Sequence, residues 1–256
     1  MRRRSSSFRN HGSQPRILPL PPTTEEVQRA IERRYRLLGM LGGRGIEIGA
    51  LHQAMPVSHL QIRYVDCIPL EVQREHYQEL GATPLAPVDI LDDGQTLATL
   101  PAAAEDFVIA NHVIEHMRDP ITALENWHRV LRVGGRLMMA VPDKDHTFDR
   151  TRPLTSIEHL VLDREQPSKE RDYESYREFA RESLAGTVNP DAAGKSEELA
   201  ERMWKVGYSI HYHVWDQPHF DAFLAFVRSY LPHWRMKLVE RCESLAGEFI
   251  YLFERE

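Results

Sequence analysis

Short apolar runs at residues 45–48, 62–65, 107–110 and 137–141, each closed by turn residues, alternate with stretches of helical period. Runs of that length and setting are strands. Strands separated by helices fold as an α/β sheet whose strands lie mostly parallel. The clearest helical stretch covers residues 120–131, where Ile121, Leu124, Trp127 and Leu131 share a face and Gly134-Gly135 reads as the stop. Thr23 and Glu26 have the spacing of a capping box, and Val27, Ile31, Tyr35 and Leu38 then recur at helical intervals up to Gly39, so a leading helix is expected there. Only thirteen residues separate Ile48 from Ile62, Pro56 among them, and the first crossover is expected to lack a full helix.

A charge-rich stretch at 151–207 interrupts this order after the fifth core strand, with helices expected at 168–184 and 197–206. A helix at 217–230, a strand at 236–240 and a last strand at 248–253 resume it, and Gly247 marks the turn of a closing antiparallel hairpin. The 256 residues, 42% hydrophobic and 27% charged, suit one globular domain. The expected organisation is a basic, proline-bearing tail at 1–22 and one domain at 23–256 with a helical cap at 151–207.

A net charge of −6 gives no pull towards nucleic acid or an anionic membrane, so neither is expected as a partner. No apolar stretch of signal-peptide length follows Arg2, Arg3 and Arg4, and nowhere do about 18 apolar residues run together. The two cysteines, Cys67 and Cys242, offer neither a disulfide framework nor a CxxC metal pair. A cytoplasmic setting is the expectation, and the oligomeric state is not legible.

The chemistry concentrates at strand ends. Gly45-Ile46-Glu47-Ile48-Gly49 is an apolar strand ending in an acid and a glycine, and Asp66 closes the next strand 19 residues after Glu47. In open α/β sheets, ligands bind beyond the carboxyl ends of the strands, where glycine admits a close backbone and a carboxylate grips ribose hydroxyls. Glu47 and Asp66 are either such groups or solvated acids that merely end strands. The third and fourth strand ends add Val88-Asp89-Ile90 and Asn111-His112-Val113-Ile114-Glu115-His116.

With Arg129-Val130-Leu131-Arg132-Val133-Gly134-Gly135-Arg136-Leu137 added, residues 45–143 resemble the class I S-adenosylmethionine (SAM)-dependent methyltransferases. The likeness spans about 100 of the 256 residues, and it rests on four pieces in order rather than on any one. It implies a Rossmann-like sheet and SAM as cofactor. It also implies that Glu47 and Gly49 meet the methionine part, Asp66 the ribose, Asp89 the adenine amino group and Ile90 the adenine ring. Asn111 and His112 would then lie beside the methionine moiety. The sequence departs from the family after Gly49, where Ala50-Leu51-His52-Gln53 replaces the glycine-rich turn. A nicotinamide dehydrogenase shares the sheet and the second-strand acid. Its pyrophosphate, however, needs the glycines and a helix N-terminus that this chain lacks there.

His211 and His213 alternate along one extended segment and are expected to share a face. They could supply a general base, bind a metal with Asp143 or Asp216, or serve as hydrogen-bonded pocket walls. They are taken as the candidate catalytic residues, with Asp143 and His146 next in line, and no metal site is assigned. His116, Trp127 and His128 read as scaffold. The expected function is methyl transfer to oxygen or nitrogen of a small molecule, a sugar or another secondary metabolite. The alternative is a non-catalytic binding or assembly protein that keeps the methyltransferase fold.

Overall fold

The computed structural model describes residues 22–55, 57–77, 80–188 and 194–256, with backbone only at 185–188. Most of the expected tail, and Pro56, lie outside these residues. Helix α1, Thr24–Leu38, starts with the expected capping box: Thr23 Oγ1 accepts the Glu26 N–H, and the Glu26 carboxylate accepts the Thr23 N–H. These reciprocal bonds satisfy two amides that would otherwise lack a helical partner.

Seven strands form one sheet in the order β3-β2-β1-β4-β5-β7-β6. They are β1 Gly43–Ile48, β2 Leu60–Asp66, β3 Ile90–Leu91, β4 Glu105–Asn111, β5 Leu131–Pro142, β6 Met236–Leu245 and β7 Glu248–Arg255. The first five are parallel, and β7 runs antiparallel to both β5 and β6. The other helices are α2 Leu70–His76, α3 Pro120–Val130, α4 Ile157–Glu165, α5 Lys169–Glu178, α6 Ser196–Val206 and α7 Gln217–Tyr230. Among the described residues no helix joins β1 to β2, as the short crossover demands.

Alternation along the central strands makes two apolar layers. Val108 and Ala110 of β4, with Leu137, Met139 and Val141 of β5, pack towards Trp127 of α3 and Phe220 and Phe223 of α7. Phe107, Ile109, Met138 and Ala140 face the other way, onto Leu37 and Leu38 of α1. β1 passes β4 so closely that a Cβ on Gly45 would sit 2.3 Å from the Phe107 carbonyl oxygen, which explains glycine at that position. Gly134-Gly135 does not stop α3. The helix ends at Val130, Leu131 is already extended, and residues 132–135 loop out where the β4–β5 register jumps.

The cap differs from expectation in two ways, and the segment after it in a third. It has an additional helix, α4, whose N-terminus is capped by Ser156 and which buries only Leu160. The single helix expected at 168–184 is instead α5 followed by wider π-helical turns over Phe179–Val188. Residues 208–214 form an irregular segment rather than a strand. Tyr176, Phe179, Ala180, Ala200, Met203 and Ile210 give the cap a small core of its own. Among the described residues, no helix is long and apolar enough to cross a membrane.

Candidate active site

A cavity of about 920 Å³ opens at the carboxyl ends of β1, β2 and β4. Its sheet-side wall is Glu47, Gly49, Val65, Asp66, Asn111 and His112, and its opposite wall is Phe148, Phe179, Leu199, Met203, Tyr208 and His211 from the cap and its flanks. Six of the candidate cofactor and catalytic residues therefore meet in one chamber: Glu47, Gly49, Asp66, Asn111, His112 and His211. At Gly49 the chain turns with φ +62°, a conformation costly for any other residue except, to a lesser degree, Asn or Asp. Leu51 at +47° and His112 at +52° adopt the same region, so the backbone is strained at both ends of the β1–β4 crevice.

Glu47 is 2% exposed, and Oε2 accepts the Met55 N–H at 3.2 Å. Burial pushes its carboxyl up to about 7, against the smaller downward pulls of that hydrogen bond and of Arg34. A buried acid of this kind favours a cationic neighbour that the protein alone does not supply in full. Arg34 of α1 borders the same cavity, and its guanidinium grips Glu248 in a two-bond pair. His112 Nε2 meets Glu248 Oε2 from the other side at 2.8 Å. Burial alone would raise Glu248, but the His112 and Arg34 hydrogen bonds outweigh it and bring the carboxyl down to about 2. Asp66 borders the cavity with Oδ1 bonded to the Ile68 N–H at 3.0 Å, and burial raises its carboxyl.

Asp89 and Ile90 do not reach the cavity wall. β3 is two residues long and begins at Ile90, so Asp89 precedes the strand and bonds the Tyr64 N–H at 2.9 Å, while Ile90 packs on the core. The chain reaches the cavity past β3 at Gly94.

The two histidines part company. His211 borders the cavity, whereas His213 is buried behind it, with Nε2 3.3 Å from the Arg118 carbonyl oxygen. Burial drives the His213 imidazole down to about 3. Without strand geometry the period of two that was to align them does not apply. Asp143 is likewise turned away, capping Asp145 N–H at 3.2 Å, and His146 is outside the cavity wall.

Two contributors were not among the candidate site residues. Asp149 takes His211 Nδ1 at 2.5 Å, Ser183 Oγ at 2.7 Å and Arg152 Nη1 at 3.1 Å. Burial opposes ionisation of Asp149, but the His211 hydrogen bond, the His211 and Arg152 charges and the Ser183 hydroxyl hold its carboxyl below the usual aspartate value. Arg152 also donates to the carbonyl oxygens of His211 and Tyr212, so one buried cation fixes both the acid and the segment carrying the imidazole. The result is an Asp–His pair whose other ring nitrogen, Nε2, lies 3.9 Å from Glu115 Oε1. His116, read as scaffold, also borders the cavity, with Nδ1 2.9 Å from the Ile210 carbonyl oxygen.

Residues 42–139, the span containing every sheet-side wall residue named above, match the family described as methyltransferase domain. The matched span is a methyltransferase domain, in keeping with the class I, SAM-dependent resemblance of the sequence. SAM is the cofactor of that domain. No curated protein matches the chain. Solved structures similar to it include a protein from Pyrococcus horikoshii, at 13% identity over 91% of this chain and 93% of that one, with TM-score 0.48. Another is N-methyltransferase NodS from Bradyrhizobium japonicum, at 12% identity over 91% and 98%, TM-score 0.47. A third, from Rhodobacter sphaeroides, is described as a putative Zn-dependent alcohol dehydrogenase and shares 15% identity over 92% and 91%, TM-score 0.48. The matched span supplies the cavity's sheet-side wall, and the segments beyond residue 139 supply most of the opposite one.

Proposed function

We propose that the protein transfers the methyl group of SAM to an oxygen or nitrogen of a small molecule held under the cap. The observation that carries this reading is the single chamber joining the strand-end acids to the Asp149-held His211. On the sheet side, Glu47 receives the ammonium of the methionine moiety, Arg34 faces its carboxylate, and Asp66 takes the ribose hydroxyls. Gly49, Asn111 and His112 line the methionine path. On the cap side, Phe148, Phe179 and Met203 give an apolar surround that excludes water from the transfer.

The reaction is one displacement. A lone pair on the acceptor attacks the methyl carbon, the C–S bond breaks, and its electron pair returns to sulfur, leaving S-adenosylhomocysteine. For a hydroxyl or ammonium acceptor the proton must go to a base, and His211 Nε2 takes it in this reading, supported by the Asp149 contact that fixes the tautomer. Residues 151–207 act as a lid over the acceptor, and the cytoplasm is the compartment that suits such a reaction.

Incubation with methyl-labelled SAM and a panel of small hydroxyl and amine compounds tests the proposal. Label transferred to a small molecule supports it. A well-folded sample that binds SAM yet labels nothing across a broad panel favours a non-catalytic methyltransferase-fold protein.

A further inference from the structure

Glu115 stands at the back of the acceptor end on the short 3-10 turn Ile114–His116. It is 0% exposed, and neither carboxyl oxygen has a hydrogen-bond partner among the described residues. An unpartnered carboxyl in such a position costs free energy unless something else meets it. Three imidazoles surround Oε1 at distances too long for hydrogen bonds: His112 Nδ1 at 3.8 Å, His116 Nε2 at 3.9 Å and His211 Nε2 at 3.9 Å.

The far nitrogen of two of these rings is already bound. His116 Nδ1 faces the Ile210 carbonyl oxygen at 2.9 Å, which can only accept, and the Ser209 hydroxyl at 3.0 Å, which can accept too; donation to the carbonyl puts the proton on Nδ1 and the lone pair on Nε2. His211 Nδ1 faces Asp149 and is fixed in the same way. Two imidazoles thus turn their Nε2 lone pairs towards one orphaned carboxylate, each backed by an oxygen acceptor. That is the outer arrangement metal-binding histidines use. The ligand atoms of Glu115, His116 and His211 all lie within 4.8 Å of one another. Bonds of about 2.0–2.1 Å would set tetrahedral neighbours about 3.4 Å apart, so the two acid–imidazole pairs at 3.9 Å need to close by about half an ångström and no pair of the set by more than about 1.4 Å.

We infer that Glu115, His116 and His211 bind one divalent first-row transition metal ion, with its open coordination positions towards the acceptor end of the cavity. Two imidazoles and a carboxylate suit zinc, iron, cobalt or manganese, and they would offer the open positions to a hydroxyl or carboxylate oxygen of the ligand. A second cluster, His159, Asp163 and His213, is less suited: Arg171 already neutralises Asp163, and His213 lies off the cavity wall. The inference rests on the reading of this chamber as the acceptor site. While the ion is bound, His211 Nε2 is a ligand and not a base.

The test is calorimetric titration of chelator-treated, full-length protein with Zn²⁺ alone, with Co²⁺ absorption as a second readout. One ion per chain with submicromolar affinity, and a Co²⁺ spectrum of a nitrogen- and oxygen-ligated site, are expected. Glu115→Gln, which preserves shape, should weaken Zn²⁺ by at least about 100-fold, and Asp149→Asn by about 10–100-fold as an outer partner. Should a variant misfold, the wild-type stoichiometry and Co²⁺ spectrum still decide. A folded wild type that binds no ion, or a Glu115→Gln protein that binds it unchanged, overturns the site. SAM titration of the same samples separates the two readings. SAM binding without metal binding removes only the ion, whereas metal binding without SAM binding removes the cofactor chamber.

Discussion

Glu47 offers a prediction whose size follows from its burial. Its carboxyl stands at about 7 in the unliganded fold, against an ordinary value of 4.5, so keeping it ionised costs about 3 kcal/mol. The folded value is raised. The group therefore favours folding fully below about 4.5, and that contribution disappears as pH climbs through about 7. An ammonium placed beside the carboxylate offsets the burial cost and draws the value back towards 4.5. At pH 6 about nine-tenths of Glu47 is protonated before binding and little of it afterwards, so SAM binding should release about 0.9 proton. Calorimetry in buffers of different ionisation enthalpy reads that number directly. Glu47→Gln should abolish the release at pH 6 and weaken SAM at least tenfold at pH 7.5. SAM binding at pH 6 with no difference in proton release between wild type and Glu47→Gln would refute the assignment of the ammonium to Glu47.

Asp66→Ala should weaken SAM by at least tenfold with the fold intact, since charge-assisted bonds to ribose hydroxyls contribute roughly 1.5–3 kcal/mol; an unchanged dissociation constant would make Asp66 a plain strand-end acid. His211→Gln should lower turnover by about 10²–10⁴ while SAM affinity holds, and His213→Gln should leave the chemistry alone and reduce stability, as kinetics and urea unfolding would show. Glu248→Gln leaves the Arg34 guanidinium without its carboxylate and should cost roughly 3 kcal/mol near neutrality. Because the Glu248 value is depressed, its stabilising effect is present above 4.5 and is lost as pH falls through about 2. Backbone amides of α5 and α6 should gain protection from hydrogen exchange when SAM and product bind, and complete protection beforehand would make the cap a fixed layer.

Much of the sheet was legible because each strand is an apolar run with a turn residue at its end, and burial on both faces allows little else. The capping box at Thr23 and the hairpin at Gly247 were equally plain, since each is specified by residues close in sequence. Helix α4 was not, because it buries Leu160 alone and carries no apolar stripe. The Gly134-Gly135 pair misled for a related reason: a glycine pair signals a break in regular structure but not whether a helix stops or a strand loops out.

The strand ends led to five of the candidate residues that border the cavity, Glu47, Gly49, Asp66, Asn111 and His112, whereas Asp89 lies off its wall because a two-residue β3 shifts the point where the chain enters the crevice. The acceptor side was least legible. His211 and Asp149 are 62 residues apart, bonded directly and braced by a buried arginine, and no local period foretells such a meeting. Glu115 and His116 lie in the most recognisable phrase of the sequence. Only the return of residues 208–213 against that turn, where the Tyr212 N–H bonds the Glu115 carbonyl oxygen at 2.7 Å, brings His211 beside them.

The central claim is that SAM lies with its methionine end at Glu47, its ribose at Asp66 and its sulfur facing His211. A crystal structure of the protein with S-adenosylhomocysteine bound tests it most directly. The account predicts the amino group within hydrogen-bond reach of the Glu47 carboxylate, both ribose hydroxyls at Asp66, and the sulfur turned towards the His211 side under the closed cap. A nucleoside bound elsewhere on the protein, or in this cavity with its sulfur turned away from His211, would contradict it.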